Sequence, residues 1–247
     1  MQAELWAELR PRSALETEIP QMLALLQQHF EGVTEAQFRS DLAPKNWVIL
    51  IWQNQTLKGF TTLQLYSTHD RQTHTPLRIV YSGDTITDPS IWSSPILAQA
   101  WAKTLQNLHQ SDPSPLYWLL ISSGYRTYRF LSLCFQQFYP CYDRPTPAPT
   151  QALIDQLAQA QFADHYDRAT GLVRFPQPQK LRPHLQQIAP DRHHDPHIAF
   201  FLHHNPHHLQ GDELVCLAEV AESNLTAAGK RLWQSKLRLQ VPEAEEG

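Results

Sequence analysis

RIVYSGDTITDPSIWSSPILAQAWAKTLQNL, residues 78–108, is the stretch whose reading decides the fold. Its first five residues form a short apolar run that breaks at Ser82-Gly83-Asp84-Thr85, which reads as a strand running into a turn. Ser94 then offers an N-cap, and Pro95 sits at the first helical position, where its missing N–H costs nothing. Ile96, Leu97, Ala100, Trp101, Leu105 and Leu108 follow on one apolar stripe, so the spacing predicts an amphipathic helix. The chain has only eight glycines. One placed at this strand end, beside an aspartate and two hydroxyls, points to a bulge or a close backbone approach.

Outward from this stretch the elements come in a legible order. Upstream, residues 4–9 read as a first strand. Ser13 and Glu16 have capping-box spacing before Leu15, Ile19, Met22, Leu23, Leu26 and Phe30, which repeat at helical intervals. Thr34 and Gln37 repeat that spacing before Phe38 and Leu42, predicting a second, shorter helix. WVILIW (47–52) reads as a strand buried on both faces, Asn54-Gln55 as a turn, and 57–66 as the hairpin partner. Downstream, PLYWLLI (115–121) is another buried strand, and SSGYRTYRFLSLCF (122–135) is a turn into a helix. YPCYDRPTPAP (139–149), with four prolines in eleven residues, reads as a boundary. Beyond it, 150–162 reads as a helix, while GLVRF (171–175) and HIAFFL (197–202) read as strands. DELVCLAEV (212–220) fits strand or helix. Residues 224–239 read as a helix weakened by Gly229, and 241–247 as a disordered, solvated tail.

Bulk properties exclude several classes. Charged residues make up 18% of the 247, with a formal net charge of −4, so the basic footprint of a nucleic-acid binder is absent and no pull toward anionic membrane is expected. No apolar run reaches membrane-spanning length. The N-terminal stretch lacks the pattern of a signal peptide. The three cysteines, Cys134, Cys141 and Cys216, do not form a disulfide framework. A cytoplasmic α/β protein of the α+β kind is the expectation, with one domain over 1–145 and a mixed extension over 150–240.

The order strand, helix, helix, three strands, helix, strand, helix resembles the GNAT superfamily of acyl-coenzyme A-dependent N-acyltransferases. The resemblance covers about residues 1–140 and rests on element order and on the strand–turn–helix at 78–108. More loosely, the chain resembles uncharacterised bacterial proteins that pair such a domain with a C-terminal extension. The resemblance implies a mixed, mostly antiparallel central sheet flanked by helices. It also implies a bulged fourth strand splayed from the fifth, with the pantetheine arm of acyl-CoA or acetyl-CoA in the gap and its pyrophosphate at the N-terminus of the next helix. Orphan N–H groups and the helix dipole favour an anion there. Ser82, Gly83, Thr85, Trp92, Ser93, Ser94 and Ile96 are the implied cofactor-binding positions. The chain departs from the family's loop pattern, which is Gln or Arg, two residues, Gly, one residue, then Gly or Ala. IWSSPIL has neither glycine nor arginine, and Pro95 removes a donor.

The chemistry-bearing residues have two readings each. The resemblance makes Asp84 the candidate general base; alternatively, Asp84 and Thr85 brace a turn. Tyr125 and Tyr128, beside Arg126, lie where a strand hands over to a helix, in position to protonate a leaving thiolate or simply to pack. Asn205 and Asp212 bound a segment that reads as a lid over a substrate or as an ordered connection. His193, His194, His197, His203, His204, His207 and His208 have no metal-ligand spacing and read as polar surface, so no metal is expected. Cys134 and Cys216 read as buried, inert thiols. Two functions follow: transfer of an acyl group from a coenzyme A thioester to a small-molecule amine, or a non-catalytic module of the same fold that binds a small molecule or a protein. A metal-dependent hydrolase using the histidines is a third, weaker reading.

Overall fold

The structure, a computed structural model, describes residues 4–188, 192 and 194–240. His193 and the tail expected over 241–247 lie outside the described residues. In chain order the elements are β1 (Leu5–Pro11), α1 (Ile19–His29), β2 (Phe30–Glu31), α2 (Glu35–Leu42), β3 (Trp47–Gln53), β4 (Thr56–His69), β5 (Pro76–Thr87), α3 (Ile96–Ser111), β6 (Leu116–Ser122) and α4 (Tyr125–Cys134). They continue with α5 (Ala148–Phe162), β7 (Tyr166–Asp167), β8 (Leu172–Val173), β9 (Lys180–Leu181), α6 (Pro196–His204), β10 (Glu213–Glu219) and α7 (Ala227–Trp233).

Eight strands form one sheet in the order β1-β3-β4-β5-β6-β10-β8-β7, and β2 pairs with β9 apart from it. Every neighbouring pair in the large sheet is antiparallel except β5 and β6. That one parallel pair needs a crossover, and α3 supplies it. Arg78 at the start of β5 fastens the far end of that crossover: its guanidinium donates to the carbonyls of Leu108 (2.8 Å) and Asp112 (2.6 Å).

Strand side chains alternate between two apolar faces, which is why the central strands read as continuous hydrophobic runs. Ile49, Ile51, Val80, Trp118, Leu120 and Cys216 face one side, where α3, α4, α6 and α7 cover them. On the other side, Val48, Leu50 and Phe60 pack under α1 and α2. Ile79, Leu119, Val215 and Leu217 on that same side pack under α5. The mostly antiparallel sheet, the single parallel pair β5–β6 and the bulge in β5 agree with the arrangement that the GNAT resemblance implies.

Several element boundaries differ from the sequence expectations. Thr34 caps α2 as predicted, its hydroxyl accepting from the Gln37 N–H at 3.2 Å. The Ser13–Glu16 capping box does not form; a 3-10 turn occupies Arg12–Ala14 and α1 begins at Ile19. Pro95, rather than Ser94, is the cap residue of α3, and the Ser94 hydroxyl accepts from the Ile96 N–H at 3.3 Å. HIAFFL is helical, not extended. Asp195 caps α6 by accepting from the His197 N–H, Pro196 opens it, and Ile198 and Phe201 bury one face. Residues 212–220, readable either way, form β10, while only Leu172–Val173 of the expected strand at 171–175 is extended and paired. The last helix stops at Trp233.

Candidate active site

Asp84 owes its position to a bulge. β4 and β5 pair Thr61 with Thr85 and Leu63 with Ser82, so Gly83 and Asp84 together oppose the single Thr62. A bulge twists its strand and re-aims side chains. The parallel pairing of β5 with β6 runs only from Arg78–Leu116 to Ser82–Leu120. Beyond the bulge β5 stays with β4, while β6 continues to Ser122 alongside β10. A wedge therefore opens between the two parallel strands. It leads into a cavity of about 720 Å³ whose walls include Gly83, Asp84, Ile121, Ser122, Tyr125 and Glu213.

The reason for glycine at position 83 lies behind the wedge wall. A Cβ there would come 2.5 Å from the Thr62 Oγ1 and 3.0 Å from both Cε and Nζ of Lys45. The bulge is present, and the space beside Gly83 is taken by two side chains of the protein. Lys45 is 8% exposed, and its Nζ lies 4.0 Å from the centre of the Tyr81 ring.

Electrostatics separate the two carboxylates of the cleft from ordinary surface acids. Burial, and then Asp41, push Asp84 up to about 6, while Lys45 pulls it down. Burial, then Asp84 and Asp41, push Glu213 up to about 8. Burial lowers Lys45 to about 8, against the opposing pull of Asp84 and Asp41. Charge links these groups: Asp84 acts on Glu213 and Lys45, and Lys45 acts on Asp84. Neither carboxylate accepts a hydrogen bond among the described residues.

Two helix N-termini meet the same cavity, through Ser94, Leu97 and Ala98 of the α3 end and through Gly124, Tyr125 and Arg126 of the α4 end. Their unpaired N–H groups make this end of the cleft attractive to anions. Trp92 stands at the rim, 44% exposed, its indole N–H donating to the Thr87 carbonyl at 2.9 Å. The Arg126 guanidinium lies 4.4 Å over the Trp92 ring. A cation thus stands beside the loop that carries no arginine of its own.

Of the residues singled out in the sequence, Ser82, Gly83, Asp84, Thr85, Trp92, Ser94 and Tyr125 line this one cavity. Ser93 faces solvent and Ile96 is buried in the core. Tyr128 is wholly buried away from the cleft; its hydroxyl donates to the Pro140 carbonyl at 3.0 Å, and burial raises its pKa strongly. Asn205 is fully buried, its amide donating to the Asp212 carbonyl at 2.7 Å, and the Asp212 carboxylate pairs with Arg174 at 2.8 Å. Both therefore brace the turn that leads into Glu213. Of the histidines, His208 lines the cleft and reaches the Ser123 carbonyl at 3.1 Å, and His204 stacks on Phe200. Among the described residues no three His, Cys, Asp or Glu side chains gather as a metal site, and no helix is long and apolar enough to cross a membrane. All three cysteines are buried and unpaired.

Sequence reasoning missed Lys45 and Glu213. Each is a single polar residue at the edge of an apolar strand, with nothing local to distinguish it from a solvated end. For Glu213 the only cue was its place at the start of the apolar run Leu214–Ala218, a run that fits strand or helix.

No family model matches the chain, and no curated protein matches it. Solved structures of similar shape include a conserved protein of Enterococcus faecalis described as a probable N-acyltransferase, 14% identical with a TM-score of 0.42, the match covering 55% of this chain and 33% of that one. A GCN5-related N-acetyltransferase of Kribbella flavida is 10% identical with a TM-score of 0.40, covering 53% and 33%. A GNAT-family N-acetyltransferase of Escherichia coli in complex with coenzyme A is 14% identical with a TM-score of 0.38, covering 53% and 70%. The matched region spans about a third of the length of the first two.

Proposed function

We propose that the protein transfers an acyl group from a coenzyme A thioester to the amine of a small molecule, with Asp84 as the general base. The observation that carries this reading is the placement of Asp84: a bulge sets it on the lip of a splayed parallel strand pair, inside a cavity of about 720 Å³ flanked by two helix N-termini. The wedge offers extended backbone to a pantetheine arm. The α3 and α4 termini, with Arg126, offer donors and charge to a pyrophosphate. Asp84 would remove the amine proton as nitrogen attacks the thioester carbonyl. The carbon–sulfur bond then breaks, and the Tyr125 hydroxyl protonates the departing thiolate. Glu213, on β10, raised to about 8 and so largely neutral near pH 7, would hydrogen-bond the incoming neutral amine. A base near pH 6 suits proton removal at neutral pH.

The rival is a non-catalytic module of the same fold. It is favoured by the glycine-free loop at Trp92–Pro95 and the donor lost to Pro95. Thermal-shift and turnover measurements with acetyl-CoA and longer acyl-CoA thioesters, against a panel of primary amines, separate the two. Stabilisation with release of free thiol supports acyl transfer. Stabilisation without thiol release for any amine favours the binding module. No stabilisation at millimolar thioester removes the coenzyme from the reading.

A further inference from the structure

We propose that Lys45 is a positioning residue for Asp84: from behind the cleft wall its ammonium holds the carboxylate in its ionised, proton-accepting form, and glycine at position 83 is what admits it. The inference rests on the reading of Asp84 as the base.

Lys45 does not line the cavity. It follows α2 and ends beneath the bulge, where its Cε and Nζ occupy the space that a side chain at position 83 would need. Among the described residues no carboxylate oxygen lies within 4.0 Å of Nζ, so Lys45 is not one half of a contact ion pair. The ring of Tyr81 faces it at 4.0 Å instead. A buried cation without a contact partner is costly, and a hydrophobe of similar length would pack there with less penalty. The arrangement has a use if the charge acts through the intervening protein on the group in front of it, where low polarisability strengthens a field. That group is Asp84, the next residue along the bulge.

The surroundings make the cation necessary. Asp41 of α2 raises the proton affinity of Asp84, and Glu213 on β10 is coupled to it. Tyr81 on β5 and Tyr66 on β4 are themselves raised and stay uncharged near neutrality. His29 of α1, Arg126 of α4, Arg192 and His208 line the same cavity. Of all these, Lys45 is the one group that lowers Asp84. Without it, burial and Asp41 act unopposed, and Asp84 takes up a proton in the range where it has to receive one.

The test reads Asp84 directly. Protein carrying ¹³C-labelled aspartate carboxyls is titrated by NMR, with the Asp84 signal assigned by its loss in Asp84→Asn. In Lys45→Met the midpoint of Asp84 is expected to rise by roughly one pH unit or more, the scale of a neighbouring opposite charge. Lys45→Arg should keep it near that of the unmodified protein. The acid limb of acyl transfer should move with the midpoint, so that activity lost at low pH returns at higher pH, which mere damage to packing would not produce. If Lys45→Met does not fold, Lys45→Gln and Gly83→Ala, the latter displacing the ammonium, carry the same expectation. An unchanged Asp84 midpoint in any folded variant that removes or displaces the charge overturns the proposal. If the midpoint moves but the unmodified protein turns over no thioester, the acyl-transfer reading fails while the charge coupling stands.

Discussion

At the scale of single residues, the cleft holds ionisable groups where burial disfavours their charged forms. Asp84 accepts no hydrogen bond among the described residues, so it is not bracing its turn. Asp84→Asn is therefore expected to lower turnover roughly 100- to 10,000-fold, the usual scale of general acid–base catalysis, with the fold intact by circular dichroism. Glu213 supports a prediction that needs no substrate. Its carboxyl is raised from 4.5 to about 8 in the folded chain, chiefly by burial. Ionising it thus works against folding, and the penalty accumulates as pH climbs between those two values. Glu213→Gln should melt higher than the unmodified protein at about pH 9, with the gap closing toward about pH 4. A pH-independent difference in melting temperature would remove the carboxyl from this account. Asp84 was visible in the sequence because it follows a strand end with an unusual glycine. Lys45 and Glu213 were not, because they are 39 and 129 residues from Asp84 along the chain and only pairing of the strands brings them together.

At the scale of elements, the signals that failed are as informative as those that held. Ser94-Pro95 and Asp195-Pro196 are the same cue, a capping residue followed by proline, yet only the first was read as a helix start. The second was masked by a histidine-rich run and by HIAFFL, whose aromatic and β-branched content suits a strand equally well. Tertiary packing decided it, since Ile198 and Phe201 bury against the sheet only at helical spacing. Gly229 read as a defect in a helix, whereas it is a contact. A Cβ there would lie 2.3 Å from the Cys134 carbonyl oxygen, where α7 crosses the end of α4. Backbone cannot yield as a side-chain tip can, so Gly229→Ala should destabilise by about 1–3 kcal/mol, the cost of overpacking, even though alanine is the better helix former. Chemical denaturation measures this, and a neutral or stabilising alanine would mean that the two helices separate freely.

At the scale of the whole molecule, the proline-rich stretch at 139–149 reads as a boundary between a domain over 1–145 and an extension over 150–240 expected to pack on it. The strand order gives that expectation a physical test. β10 lies between β6 and β8, pairing Leu214 through Glu219 with Ser122 through Tyr117. The Leu217 N–H and carbonyl also bond to Tyr139, inside the proline-rich stretch itself, at 2.8 and 2.9 Å. α7 packs beside α3 and α4, carrying Trp233 into the same core as Trp101 and Trp118. A fragment ending at residue 145 would lose all of this. It would expose β6 as an apolar edge, a ready template for pairing with another chain, and would strip one face of Val80, Trp118 and Leu120 of part of its cover. The cleft would lose Glu213 and the wall that holds it. We therefore propose that 1–145 does not fold alone: expressed by itself, the fragment should be aggregated or lack a cooperative thermal transition. Native-state hydrogen exchange on the full chain gives the second reading, with amides of β6 and β10 expected to open together in the most protected class. A soluble 1–145 fragment with a sharp transition, or β10 amides that exchange well before those of β6, would make 1–145 an independent unit and detach the C-terminal part from the chemistry of the cleft.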